Sequence, residues 1–268
     1  MEKAKLVGLL EEDYIHPDEV QMRYGNQNTV VQSGLDKLND LSVALMRRMT
    51  LGRYIHVTED TAPELIGIVN DVCSILDYPA VPKVYICHQA AQTIFCAGTD
   101  HMIVVISDYI VDNFDGDMLY FVIGNTISMF KSGHVGMVTA YSMMPGKLLS
   151  LPVELAIKRY LRAADMTSDR AGLLACQNIV AAMKCILWEA GMPLSEIRML
   201  NEPETMQLCE AYIDGVENIS LDSVTELATS LKEYDMDSMP HPYRIKELLA
   251  WYRTDYPEVM QKWGGIGK

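Results

Sequence analysis

Asp117-Met-Leu-Tyr-Phe-Val-Ile-Gly124-Asn125-Thr126-Ile-Ser-Met129-Phe-Lys-Ser-Gly133-His134 is the stretch on which the fold turns. At about 100° per residue, Leu119, Val122, Ile123, Ile127 and Phe130 wrap more than half of a helix circumference, which predicts a buried helix over 117–131. Asp115 stands where an N-cap would accept from the first free backbone N–H groups. A helix buried this completely needs other elements packed around it, and the flanking sequence supplies them.

Upstream, Lys83 to Cys87 and Met102 to Ile106 are short β-branched runs on either side of the turn signal Gly98-Thr99-Asp100, and they predict a small antiparallel sheet. Further upstream, Leu35, Leu38, Leu41, Leu45 and Met49 recur at steps of three and four, the period of an amphipathic helix over 33–49. Thr61-x-x-Glu64 with Pro63 reads as a capping box opening a helix through Leu65, Ile68, Val69, Val72 and Leu76, which Pro79 and Pro82 bring to an end. Downstream, Val135 to Leu155 is apolar but interrupted by Pro145, Gly146, Lys147 and Pro152, so it reads as a buried hairpin or loop rather than a membrane span. A long helical stretch then runs from about Val153 to Ala190 and stops at Gly191. Helices around one small sheet make the class α+β, in a single domain over residues 1–268.

Composition narrows the function. With 268 residues, 49% of them hydrophobic, the chain can bury one sizeable core. A formal net charge of -14, with no dense cluster of Lys and Arg, excludes nucleic acid and anionic membrane surfaces as natural partners. The six cysteines have no C-x-x-C spacing and sit among apolar neighbours, as buried thiols do in a reducing compartment. The first residues lack the apolar core and cleavage site of a signal peptide, so the expected location is the cytoplasm. No G-x-S-x-G elbow, P-loop or dinucleotide fingerprint occurs, since Gly264-Gly-Ile-Gly267 lacks the strand and helix such a loop requires. The 18 methionines read as adaptable core filler, although Met143-Met144 and Met236-x-x-Met239 also fit a pliable contact surface.

Three segments resemble, in order, landmarks of the HtpX-like and CAAX-prenyl-protease-related zinc metallopeptidases. Pro82 to Cys87, Phe95-Cys-Ala-Gly98-Thr and Ile103 to Asp108 are similar to the sheet and turn before that family's active-site helix. Asp117 to His134 resembles the helix itself, with its H-E-x-x-H and Gly-His. Arg162-Ala-Ala-Asp165-Met-Thr-Ser-Asp169 resembles its E-x-x-x-D helix. His16-Pro17 and His241-Pro242, followed by Arg244 and Trp251, are similar to the two ends of soluble bacterial members. The resemblance implies a mainly helical, zincin-like fold.

Such a peptidase needs two histidines at i and i+4 to face one zinc ion, and a glutamate beside the first to take a proton from the metal-bound water. Those positions hold Asn125, Met129 and Thr126. An amide is a feeble zinc ligand, a thioether suits softer metals, and a hydroxyl is no base near neutral pH. The third ligand position holds Asp165, one methylene short of glutamate, and the family's Asn-Ala substrate edge is replaced by Thr93-Ile94. The chain therefore reads as a pseudopeptidase with no zinc or other cofactor. Its cleft residues Thr93, Asn125, Thr126, Met129, Asp165 and Asp169 would be vestigial or would bind a protein or peptide, and an enzyme reusing the cleft without metal is the alternative.

Asp165 and Asp169 form a like-charged i, i+4 pair. They read either as a solvated face balanced by Arg162 and Lys158 or Arg159, or as cleft residues. In the second case Asp165 would accept hydrogen bonds from Asn125 or Thr126, and by resemblance Asp169 would support the first ligand position. His134 reads as a cap on the end of its helix rather than as a metal ligand, while His88 and His101 read as surface loop residues.

Overall fold

A computed structural model of the chain describes residues 3–25, 48, 51–88, 94–97, 102–143, 151–217 and 239–264. Its main elements, in chain order, are a 3-10 turn (Glu11–Asp13), α1 (Pro17–Gly25), β1 (Ile55–Val57), α2 (Pro63–Ile75), β2 (Lys83–Cys87), β3 (Ile94–Ala97), β4 (Ile103–Ser107) and α3 (Asp108–Asn113). There follow α4 (Gly116–Lys131), α5 (His134–Met143), α6 (Leu151–Cys176), α7 (Ile179–Glu189), α8 (Leu194–Met199), α9 (Glu202–Glu217), α10 (His241–Thr254) and α11 (Tyr256–Trp263). The architecture is mostly helical with one small sheet, the α+β class expected. The amphipathic pattern at 33–49 and the turn at 98–100 lie outside the described residues.

Helix α4 sits where its sequence demands. Asp115 caps it by accepting from the Met118 N–H, and Phe121, Val122, Ile123 and Ile127 are buried among α2, α6, α7 and β3. The sheet runs in the order β1-β2-β4-β3, and β2 pairs with β4 in parallel, Val84 opposite Val104. It is therefore mixed rather than antiparallel. The strand that folds back on β4 is β3, with Cys96 opposite Val104, which leaves β2 the parallel place on the other side. Every residue of β4 is buried. Val104 and Ile106 join the helical core while Ile103 and Val105 pack with Tyr85 and Cys87 on the opposite face, as the unbroken β-branched run of a doubly covered strand requires.

Two helix boundaries differ from expectation. The stretch from Val153 to Ala190 is broken at Gln177, whose φ of 50° is left-handed, and Asn178 restarts the chain by accepting from the Val180 and Ala181 N–H groups. At the other site, Thr61 does not cap α2. Its hydroxyl accepts from the Thr58 N–H, and Ala62 precedes Pro63 with no side-chain cap.

The N-terminal segment is a strap tied to distant parts of the chain. Lys3 bonds Asp117 and the Cys176 carbonyl, Ala4 pairs with the Gln177 amide, and the Leu6 N–H donates to the Ile75 carbonyl. Asp13 receives Lys262 and the Trp263 indole N–H from α11. Gly8 has a φ of +90°, and a Cβ there would meet the Trp263 ring at 2.7 Å, so only glycine lets the strap pass under this ring.

Candidate functional site

The site begins with two helices in unusually close contact. A Cβ on Gly124 of α4 would stand 2.4 Å from the Ala175 Cβ, and one on Gly172 of α6 would stand 2.9 Å from the Phe121 carbonyl. Asp117 at the start of α4 shares Lys3 with the Cys176 carbonyl at the end of α6, and Asn125 meets Asp169 further along, so the two helices run antiparallel. The next turn of α4, carrying Met129, therefore runs alongside the turn of α6 that carries Asp165.

Within this frame the Asn125 amide N–H donates to Asp169 Oδ1 at 3.0 Å. The assignment is chemically fixed, because an ionised carboxylate only accepts. Asp169, 1% exposed, also receives Arg244 Nε on Oδ2 at 2.8 Å and Nη2 on Oδ1 at 2.7 Å, while Arg244 Nη1 reaches Glu189 at 2.5 Å. Burial pushes the Asp169 carboxyl upward, and Arg244 and Asn125 oppose that shift without cancelling it. Arg244 is driven well above its ordinary value because its two carboxylate partners outweigh its own burial.

Asp165 is not bonded to Asn125 or Thr126. Its Oδ2 accepts the Met239 backbone N–H at 3.0 Å, from the segment leading into α10. Burial raises its carboxyl to about 6, with the charges of Asp169 and Glu189 adding and that of Arg244 opposing. The Thr126 hydroxyl, 3% exposed, donates to the Val122 carbonyl of its own helix. Met129 is half-buried against the apolar core. Thr93 lies outside the described residues.

These side chains do not fit zinc. Asn125 directs its amide N–H toward Asp169, Thr126 is committed to its helix, Met129 offers a thioether, and of the four only Asp165 is an anionic donor. A buried guanidinium adjoins them, and it opposes a dication.

The sequence reading missed Arg244 as the counter-ion of the aspartate pair and looked to Arg162, Lys158 or Arg159 instead. The signal was present in His241-Pro242 and Arg244, already noted as a landmark. His134 also differs from expectation. Gly133, at φ +73°, ends the turn after α4, and His134 starts α5 fully buried, with Nε2 2.6 Å from Glu19 Oε1. It lies in a second polar cluster with Glu11, Glu19 and Arg23, rather than with Asp165 and Asp169. His88 is exposed, as expected, and bonds Asp108.

Among the described residues no helix is long and apolar enough to cross a membrane. No family model matches the chain, and no solved structure matches it. The chain is similar, at 22% identity over 275 residues, to the plastoglobule-localized metallopeptidase 48, chloroplastic, of Arabidopsis thaliana, across 94% of this chain and 76% of that protein. Similarity over so much of both chains supports a metallopeptidase-related family.

Proposed function

We propose that this chain is a catalytically inactive metallopeptidase homologue, a pseudopeptidase of HtpX-like, zincin-type fold, whose former cleft binds a protein or peptide. The observation that carries this reading is the hydrogen-bonded chain Asn125–Asp169–Arg244–Glu189. It leaves the buried carboxylate next to the metal-ligand positions satisfied by an amide and a guanidinium rather than by a ligand histidine. With its N–H donated to Asp169, half-buried Asn125 keeps its amide oxygen as an acceptor for a bound peptide N–H.

Elemental analysis, peptide hydrolysis and fluorescence anisotropy on one preparation test the reading. The expected result is no zinc at α4, no cleavage, and binding of labelled unstructured peptides that Met129→Trp, placed to fill the cleft, abolishes without unfolding the chain. One zinc bound beside Asn125 and Met129, or cleavage that a chelator stops, would overturn it. A second reading, an enzyme using the cleft without metal, is favoured by one observation: a carboxyl at about 6 suits proton transfer near neutral pH. Turnover that survives a chelator and is lost in Asp165→Asn would select it.

A further inference from the structure

On the far side of the α4–α5 turn, four acceptor atoms converge on one nitrogen. Arg23 Nη2 lies 2.8 Å from the Ser132 carbonyl oxygen, 3.0 Å from His134 Nε2 and 3.0 Å from Glu11 Oε1, and it contacts Glu19 Oε1. A guanidinium nitrogen of this kind carries two hydrogens, so it cannot donate to all four. The shortfall is visible, because Glu11 Oε1 is buried and receives no hydrogen bond. His134 Nε2 is also claimed twice, lying 2.6 Å from Glu19 Oε1 while it faces the guanidinium. One ring nitrogen cannot donate to Glu19 and accept from Arg23 at once. Four donors of nitrogen and oxygen type around one central cation describe a metal's coordination shell better than an arginine's.

We propose that Glu11 Oε1, Glu19 Oε1, His134 Nε2 and the Ser132 carbonyl form a divalent-cation site of zinc type, in which the Arg23 guanidinium stands in for the ion and competes with it. The donors match zinc chemistry: two carboxylates, one imidazole and a carbonyl oxygen. The Glu11, Glu19 and His134 ligand atoms already lie within 4.8 Å of one another. Zinc holds such donors at about 2.1 Å, hence about 3.4 Å apart, so binding would part Glu19 Oε1 and His134 Nε2, now 2.6 Å apart, by about 0.8 Å and draw the wider pairs inward.

The ligands are firmly mounted. Glu19 and His134 are fully buried, Thr167 donates to Glu19 Oε2 at 2.5 Å, and the Tyr160 ring packs edge-on to the imidazole. Burial pushes the Glu19 carboxyl up, but the His134 and Thr167 hydrogen bonds and Arg23 hold it below the usual range. His134 Nδ1 has no hydrogen-bond partner, and an imidazole without that support binds metal about 10–100-fold more weakly than a supported one. This site is independent of the cleft, so a metal here leaves the reading of Asn125 and Met129 unchanged.

The test titrates Zn2+ and Co2+ into metal-free wild-type protein and Arg23→Ala, with Arg23→Ala/His134→Gln and Arg23→Ala/Glu19→Gln as controls. Arg23→Ala is expected to bind one ion per chain at least about tenfold more tightly than wild type, one decade in Kd. Its Co2+ form should show the intense visible absorption of four-coordinate geometry, zinc but not magnesium should raise its melting temperature, and both double variants should lose the site. If Arg23→Ala does not fold alone, refolding with zinc and not with magnesium is the expected rescue. Folded Arg23→Ala that takes up no stoichiometric ion, binding unchanged by both second substitutions, equal affinity in wild type, or equal rescue by magnesium would each overturn the proposal.

Discussion

Arg244→Met removes the cation from the Asp169 network and keeps most of the aliphatic volume. Asp169, 1% exposed, then loses two charge-assisted hydrogen bonds and retains only that from Asn125. Breaking one side of a buried ion pair costs about 3–5 kcal/mol, most of it from the stranded charge. Glu189 adds little, because its side chain is 31% exposed and water replaces the guanidinium. The stranded carboxyl can escape by taking a proton, which costs about 1.36 kcal/mol for each pH unit above its unfolded pKa. The loss at pH 5.0 should therefore be smaller than at pH 7.5 by up to roughly 3 kcal/mol. Urea denaturation of both proteins at the two pH values, followed by far-UV circular dichroism, measures it. Asp169→Asn/Arg244→Met should recover part of the loss, giving a coupling energy of about 2–4 kcal/mol. A loss below 1 kcal/mol at pH 7.5, or one independent of pH, would refute the stranded-charge reasoning.

Asp165 makes the opposite pH prediction from a paired carboxylate. Its folded pKa of about 6 lies above the ordinary 3.8, so its contribution is fully present below pH 4 and is lost as pH rises through 6. Asp165→Asn keeps an acceptor for the Met239 N–H and should raise stability by about 1–3 kcal/mol at pH 7.5 with little effect at pH 4, as read from melting curves at both values. Gly124→Ala should cost about 1–3 kcal/mol by overpacking against Ala175, and Ala175→Gly in the same chain should restore part of it; a neutral Gly124→Ala in urea melts would mean the helices are not so close. The combined change Asn125→His, Thr126→Glu, Met129→His and Asp165→Glu should take up one zinc by calorimetry, with Asp169 placed to accept from the new imidazole at 125. A folded variant without uptake would show that the two helix faces do not converge as proposed.

The sequence made the buried helix legible because α4 carries apolar residues on most of its surface and Asp115 caps it through its own side chain. Local chemistry of this kind is written in neighbouring residues. The parallel pairing of β2 with β4 was not legible, since it depends on which strand takes the hairpin place, and β3 took it. The break at Gln177 was hidden because apolar residues continue at helical spacing on both sides of it, which obscured the N-cap residue Asn178, and the left-handed turn is held by Ala4, far away in sequence. Spacing placed Asp165 and Asp169 on one helical face, but their bonding divided otherwise. Asp169 met both Asn125 and Arg244, whereas Asp165 met a backbone N–H from a segment without any motif. His134 reads as an end-cap from its neighbour Gly133 alone, and only the docking of α1 reveals Glu19 beside it.

The strap under Trp263 sets a schedule for the nascent chain. Asp13 and Gly8 find their partners in α11, about 250 residues later, so at roughly 5–20 residues per second the ribosome takes on the order of 12 to 50 s to deliver them. Until then the strap rests on its earlier ties, Lys3 to Asp117, Leu6 to the Ile75 carbonyl and Gly8 to Asp77, and its exposed Val7 and Leu10 flank a turn that Trp263 does not yet cover. Such a segment is open to a chaperone for as long as α11 is still to come.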